Sequence, residues 1–453
     1  MNKDLQIIIL AAGKGTRMVS DKAKVLHKLA GKPLLGFVIE ASLSLTTEVI
    51  VVVGHQASEV KKLNYPVKWV QQKEQLGTGH AVQMANPYLD GNKKCLILYG
   101  DVPLIKPTTI KKLADLSDKN TISLLTLIMK NQHGYGRIIR DESNNITSIV
   151  EEKDASDLQK QIKEINTGIL SVTNDNLIKL LQNLKSDNSQ GEYYLTDIIA
   201  QAHQNGLKTI SVASHSVHEV AGVNDKKQLA VLERVYQQTC AKDLMVAGLT
   251  LSDYRRFDLR GTLKFGMNCI IDINVVFEGD NKIGDNVYIA PNCILKNVDI
   301  GDNVIIKANS ILESCKVSNN ATVGPFSRLR PGAELKNNAM VGNFVEVKKS
   351  IIGEDSKASH LAYIGDATIG KNVNVGAGVI TCNYDGANKN KTIIEDDVFV
   401  GSDTQLVAPV KLGKGSTIGA GSTITTNVPK KMLVLSRIKQ KEVPSWQRPK
   451  KKE

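Results

Sequence analysis

Three short runs in the front half of this 453-residue chain gather the kinds of groups that handle phosphate. The first, LAAGKGTRM from Leu10 to Met18, includes Leu10, Ala11, Ala12 and Gly13, then Lys14, Gly15 and Arg17, with Lys24 close behind. Glycines directly after a buried strand let backbone N–H groups approach phosphate oxygens while nearby cations neutralise them. The run is neither a GxxxxGK[ST] loop nor a full dinucleotide fingerprint, so a glycine turn with solvated cations competes with this reading. The second run, QQKEQLGTGHA from Gln71 to Ala81, joins side-chain amides to a Gly77-Thr78-Gly79 turn. Amides donate and accept at once, which suits them to a base edge. The third, LILYGDVPL, ends an apolar strand in Tyr99, Gly100 and Asp101. A carboxylate at the carboxyl end of a parallel strand sits where such sheets bind ligands, and it suits Mg2+ shared with phosphates; a simple turn aspartate is the plainer alternative.

The rear half offers a different set. His360 is the only histidine after His218, and alone it would more often be structural than catalytic. Around it lie Arg330, Lys348 and Lys389, cations suited to a sugar phosphate, and Tyr363, Asn374, Asn383 and Tyr384, which add hydrogen-bonding groups.

The elements that must position these groups follow two rhythms. From Leu5 to about Asn224, short apolar runs (Ile7 to Ala12, Val49 to Val53, Cys95 to Tyr99, Ser123 to Ile128) alternate with amphipathic stretches near Leu34 to Leu43, Gly79 to Ala85 and Asn174 to Leu184. That alternation predicts an α/β domain with a mostly parallel sheet. Residues 225–249 read as one helix, with Leu229, Leu232, Val235 and Tyr236 on one face, and form the expected linker. Beyond Arg260 an aliphatic residue returns every six positions: Val317, Val323, Leu329, Leu335, Val341 and Val347, then Ile394, Val400, Leu406, Leu412, Ile418 and Ile424. Such a period suits a solenoid of three flat faces and about 18 residues per coil, with small residues such as Gly284 and Gly301 at the corners. Five-residue steps such as Val347 to Ile352 mark locally shortened coils, and the stretch from Thr381 to Thr392 should project as a loop.

The motifs LAAGKGTRM, QLGTGHA, YGD, GYGRI (Gly134 to Ile138), EEKDA (Glu151 to Ala155), NTG (Asn166 to Gly168) and GVN (Gly222 to Asn224) occur in the order seen in bacterial bifunctional enzymes that make UDP-N-acetylglucosamine. RLRPG, VEVKKS, SHLAYIGD, NVGAG and TCNYDGANK match the acetyltransferase half of that family, so the resemblance covers essentially the whole chain. It implies a Rossmann-like nucleotidyltransferase domain over residues 1–224, the linker helix over 225–249, and a left-handed parallel β-helix of hexapeptide repeats over 250–453. It further implies that Gln72, Gly77 and Thr78 hold uracil, that Arg17 and Lys24 stabilise the triphosphate and departing pyrophosphate, and that Asp101 and Asn224 hold Mg2+. Gly136, Glu151 and Asn166 would contact the sugar. His360 would be the general base for acetylation of glucosamine 1-phosphate, and Asn383 would orient or polarise reacting groups. Arg330, Lys348, Tyr363, Asn374 and Lys389 would bind that acceptor. Ala377, Asn383, Tyr384, Ser402, Ala420 and Arg437 would line the acetyl-CoA site. UTP and N-acetylglucosamine 1-phosphate are the remaining substrates, and a homotrimer is expected. One departure stands out: the family usually has proline before the loop lysine, where this chain has Ala23. A single-activity nucleotidyltransferase with a merely structural β-helix is the rival reading.

Composition bounds the rest. The apolar fraction is 42% but the aromatic share only 4%, so small aliphatic residues must do much of the packing. The sequence lacks an apolar run long enough to span a bilayer and a secretory signal pattern at its start, which predicts a cytoplasmic protein with no membrane partner. Six scattered cysteines without CxxC spacing predict reduced thiols and no zinc site. The net charge of +12 is concentrated in part near the end, at Arg437, Lys439, Lys441, Arg448, Lys450, Lys451 and Lys452; with no RNA- or DNA-binding signature beside it, a nucleic-acid partner is not expected.

Overall fold

The computed structural model describes residues 2–449, so Lys450, Lys451 and Lys452 of the basic end lie outside it. Two compact units divide between Tyr236 and Gln237, inside the helix Lys226–Val246.

The first unit is built on a sheet whose strands run in the order Lys208–Ala213, Thr121–Ile128, Glu164–Thr173, Lys94–Tyr99, Leu5–Ala11, Val49–Val53 and Lys68–Gln71. Along this order all pairings are parallel except those of Glu164–Thr173, which runs against both neighbours; the strands Arg137–Arg140 and Ile146–Val150 add a further antiparallel pair to the same sheet. Leu5–Ala11 is buried along its whole length because helices cover both faces: Ile7 and Ile9 join one apolar cluster, Ile8 and Leu10 the other. Helices Leu34–Leu43, Thr78–Gln83 and Asn174–Gln182 form where amphipathic stretches are expected. The parallel central strands Leu5–Ala11 and Lys94–Tyr99 end side by side, so the Ala12–Gly13 loop and Asp101 emerge at one edge.

The second unit is a parallel β-helix. Its strands lie on three faces, each strand pairing in parallel with its equivalent one coil later. From Ile270 through Tyr288, Ile305, Thr322, Met340 and Lys357 to Asn374, partners are 17 or 18 residues apart, so shortened coils are part of the register. Between Asn374 and Phe399 the spacing is 25, and residues 384–391 project between the strands Ile380–Cys382 and Thr392–Ile394. The aliphatic residues at six-residue spacing all point inward and are almost fully buried. Each such side chain contributes about 1.5–3 kcal/mol by leaving water, which lets a core with few aromatics hold.

The corners divide their labour in a way the six-residue period does not reveal. Gly284, Gly301, Gly342, Gly353 and Gly370 are small because the next coil passes so close: a Cβ on Gly353 would lie 2.0 Å from the carbonyl oxygen of Gly370. The left-handed turns themselves fall largely to asparagine, at Asn268, Asn286, Asn303 and Asn320 among others. Asparagine tolerates that conformation, and its side chain can bond locally. Here the amides stack, with Asn268, Asn286 and Asn303 each donating to the oxygen of the asparagine one coil on at 3.0–3.1 Å.

Gly353→Ala is expected to destabilise the β-helix by about 1–3 kcal/mol through overpacking against the neighbouring backbone. A chemical denaturation midpoint unchanged from wild type would contradict that account.

Candidate functional site

In the first unit a cleft of about 470 Å3 opens at the strand ends. Leu10, Ala11, Ala12, Gly13, Lys14, Lys24, Gln72, Gly77, Thr78, Tyr99 and Asp101 all line it, together with Gln75 and Glu192. Its electrostatic centre joins three distant segments. The Lys24 ammonium donates to Asp101 Oδ2 and, at 3.2 Å, to Asn224 Oδ1. Asn224 is brought there because Val223 N–H donates to the Asp101 carbonyl at 2.9 Å. The Lys24 and Asp101 side chains are only 15% and 14% exposed, so this ion pair is screened far less than one at the surface. A carboxylate and an amide oxygen already converging on one cation are also a donor set that fits Mg2+, a hard ion that takes oxygen ligands and leaves the rest of its shell to water and phosphates.

Gln72 lies 2% exposed and donates through Nε2 to the Gly77 carbonyl at 3.1 Å. The same nitrogen is 3.1 Å from His80 Nδ1, which must then accept. Gly77 has φ 116°, and a Cβ there would lie 2.5 Å from the Tyr193 carbonyl oxygen, so only glycine fits. Tyr193 holds the turn from both sides: its N–H donates to Leu76 O and its carbonyl accepts from Gly79 N–H, both at 2.8 Å. Thr78 Oγ1 accepts from Leu195 N–H at 3.0 Å.

Beyond Tyr99 the expected sugar residues cluster. Asn166 N–H donates to Gly136 O at 2.8 Å, and Glu151 stands against Gly136 while accepting from the Thr196 hydroxyl at 3.2 Å. Gly168 lets the Tyr99 ring lie flush against the backbone of the same segment. Burial raises the Glu151 pKa, the Thr196 bond opposes this, and the negative charges of Asp197 and Asp154 add to it. Gly100 packs against Leu35 and Leu10 rather than lining the cleft. Arg17, in the turn Thr16–Met18, is exposed and does not line it either.

On the β-helix, register sorts the rear residues into columns. His360 pairs with Asn343 one coil before it. Continuing the pairings of Lys357 with Asn374, Asn374 with Phe399 and Phe399 with Thr417 places Ala377, Ser402 and Ala420 successively in the same column. Arg437 extends it by donating to the Ala420 carbonyl at 3.1 Å. On the adjacent face Lys348 pairs with Gly365, and Arg330, one coil before Lys348, donates its backbone N–H to Val347 O at 2.8 Å and its Nη1 to Glu346 at 2.7 Å. Gly365 leaves room for the Tyr363 hydroxyl and the Asn383 amide to meet above it. Asn383 is 5% exposed, with its amide committed to Asp366 Oδ2. Asn374 lies on the His360 face, in register with Lys357 and Phe399. Tyr384 and Lys389 belong to the projecting loop, with the Lys389 ammonium 4.9 Å from the Tyr384 ring centre. His360 itself is exposed.

Two family models match the chain: a MobA-like NTP transferase domain over residues 7–142, and the bacterial transferase hexapeptide (six repeats) over 282–314 and 391–426. A bifunctional protein GlmU from Ruthia magnifica subsp. Calyptogena magnifica is 53% identical, covering 99% of this chain and all of its own. The chain belongs to the GlmU family. It is a bifunctional transferase with a nucleotidyltransferase domain and a hexapeptide-repeat β-helix. Among solved structures, a nucleotidyl transferase from Methanothermobacter thermautotroptrophicus covers 52% of the chain and all of its own at 19% identity, with a TM-score of 0.39. Among the described residues no helix is long and apolar enough to cross a membrane.

Within this GlmU-family chain, several contributors escaped sequence reasoning. Gln75 lay inside the amide-rich run, so its signal was visible. Glu192 and Tyr193, which back the Gly77 turn, and Thr196, which bonds Glu151, carry no local signal because they approach from far along the chain. Asp366 is likewise evident only as the partner of Asn383.

A raised carboxyl pKa means that the folded state holds the Glu151 proton more tightly than the unfolded chain, so stability falls as pH rises through the ordinary carboxylate range toward the raised value. Glu151→Gln keeps an acceptor for Thr196 and removes that ionisation. It is expected to melt higher than wild type at about pH 7, with the gap closing near about pH 4; equal melting temperatures at both would refute the assignment.

Proposed function

We propose that the protein makes UDP-N-acetylglucosamine in two steps, acetylating glucosamine 1-phosphate from acetyl-CoA and then transferring UMP from UTP to the acetylated product. Residues 1–224 would carry uridylyl transfer, 225–249 the linker and 250–453 acetyl transfer. The observation that carries the reading is the convergence of Lys24, Asp101 and Asn224 in a cleft whose other end is formed by Gln72, Gly77 and Thr78. It is a cation-and-carboxylate centre for phosphates beside an amide-lined seat for a base.

In the first unit the sugar 1-phosphate oxygen attacks the α-phosphorus of UTP in line, a new P–O bond forms, and the bond to pyrophosphate breaks. The nucleophile is already an anion, so no general base is needed, and catalysis reduces to alignment and charge neutralisation. Lys24 lies where it can follow charge onto the phosphates, and Arg17, exposed in the turn after the phosphate loop, supplies a further cation. Mg2+ held by Asp101 and Asn224 would supply additional neutralisation of phosphate oxygens. Gly136, Glu151 and Asn166 seat the sugar beyond Tyr99.

On the β-helix, His360 takes a proton from the glucosamine amine as that nitrogen attacks the thioester carbonyl, and coenzyme A departs as its thiol. A histidine suits this exchange near neutral pH. Arg330 and Lys348 form an anion seat for the acceptor's phosphate, with Tyr363, Asn374 and Lys389 as further acceptor contacts, while Asn383 orients the reacting groups. The column Ala377, Ser402, Ala420 and Arg437, with Tyr384 nearby on the loop, offers a track for coenzyme A. A homotrimer is supported by an apolar ridge beside His360: Phe326, Phe344 and Leu361 are 49%, 60% and 62% exposed, and the two phenyl rings stack at 5.2 Å. The cytoplasm, where UTP and acetyl-CoA are available, is the proposed location.

Asp101→Ala is expected to lower uridylyl transfer by about 100-fold or more and leave acetyl transfer unchanged. His360→Ala should do the reverse, with a loss of about 100- to 10,000-fold. Separate assays with each pair of substrates check this; matched losses of both activities in either variant would sink the division of labour.

A further inference from the structure

Lys24 is the residue on which the phosphate centre turns, and the chain that delivers it is held by an outside hand. Ala23, immediately before it, is 2% exposed and has φ −52° and ψ 136°. That φ is one a proline ring would fix, but alanine leaves it free. Something else must hold it. Gln56 accepts from the Ala23 N–H through Oε1 at 2.7 Å and donates through Nε2 to the Asp21 carbonyl. A single side-chain amide thus clamps the backbone on both sides of Lys22, just ahead of the lysine.

Gln56 is well anchored for this task. It sits in the loop after Val49–Val53 and starts the helix Ala57–Lys61 with φ 52°, a left-handed conformation. That loop is also bound to the phosphate loop: His55 N–H donates to the Ala12 carbonyl at 3.3 Å, and Gly54 lies so close that a Cβ would be 2.7 Å from the same oxygen. Gly15 completes the guidance from the other side, since a Cβ there would fall 2.6 Å from Lys24 Cβ. Lys24 is therefore aimed at Asp101 and Asn224 by a frame in which Gln56 holds the Asp21–Ala23 backbone at two points from a distant segment.

We propose that Gln56 is a positioning residue for nucleotidyl transfer, holding Lys24 in place through a two-pronged amide clamp that substitutes for a rigid φ at position 23. The inference rests on the uridylyl-transfer reading and deepens it. Gln56 touches no substrate; it acts through the geometry of Lys24, whose contacts are made as charge moves to the departing pyrophosphate. Loss of the clamp therefore lowers kcat more than it raises KM.

The test is a double-mutant cycle on the full-length protein. Gln56→Ala is expected to lower kcat for UDP-sugar formation about tenfold with KM for UTP within about twofold, while acetyl transfer stays at the wild-type rate. Removing the amide also vacates the space that a proline ring would occupy, so Gln56→Ala combined with Ala23→Pro is expected to return kcat to within about twofold of wild type. A Gln56→Ala protein as active as wild type overturns the clamp, and so does a double variant no faster than Gln56→Ala. A wild-type protein that acetylates but forms no UDP-sugar sinks the reaction assignment itself, and this proposal with it.

Discussion

Stacking in register is the constraint from which the rear half of the molecule follows. Once each strand pairs in parallel with its equivalent 17 or 18 residues on, every side chain lies directly over a counterpart. Inward positions must then be aliphatic, close corners must be glycine, and turning corners gather residues that tolerate left-handed backbone. The same rule makes chemistry linear. His360 stands over Asn343 in a column that continues through Ala377, Ser402 and Ala420, and Arg330 and Lys348 fall in one column on the adjoining face.

The first unit meets the opposite problem, since its groups come from segments with no repeating relation. Parallel strands supply a shared edge, but the edge alone leaves Lys24, Asp101 and Asn224 on separate connections. Short backbone links close the gap: Val223 to the Asp101 carbonyl, Gly100 N–H to the Leu10 carbonyl at 2.9 Å, and Tyr193 to either side of the Gly77 turn. Charge then completes what the links begin, because an ammonium recessed between two oxygens is held in a setting of reduced screening.

Much of this was legible in the sequence because it is local or periodic. The six-residue return of Val317, Val323 and Leu329 dictates a three-faced solenoid, and the glycine and amide runs mark the cleft before any coordinates exist. The GDN triplets at Gly284–Asn286 and Gly301–Asn303 recur with the coil, but that their asparagines stack depends on the register between coils. What no local pattern could supply were partners separated by long stretches of chain. Thr196 on Glu151, Glu192 on the cleft wall, Asp366 on Asn383 and Gln56 on Ala23 each depend on how distant backbone paths cross. Arg17 illustrates the reverse, since a motif position well placed in sequence lies exposed and outside the lining of the cleft.

The longer coil between Asn374 and Phe399 shows how tolerant such a scaffold is. Residues 384–391 leave one corner, and the chain resumes its stacking, with Phe399 over Asn374 and Thr392 over Ala367. A repeating solenoid can absorb extra length at a vertex without asking its neighbours to repack. Evolution can therefore elaborate one rung at a time, trying out new loops against an unchanged wall of shelves.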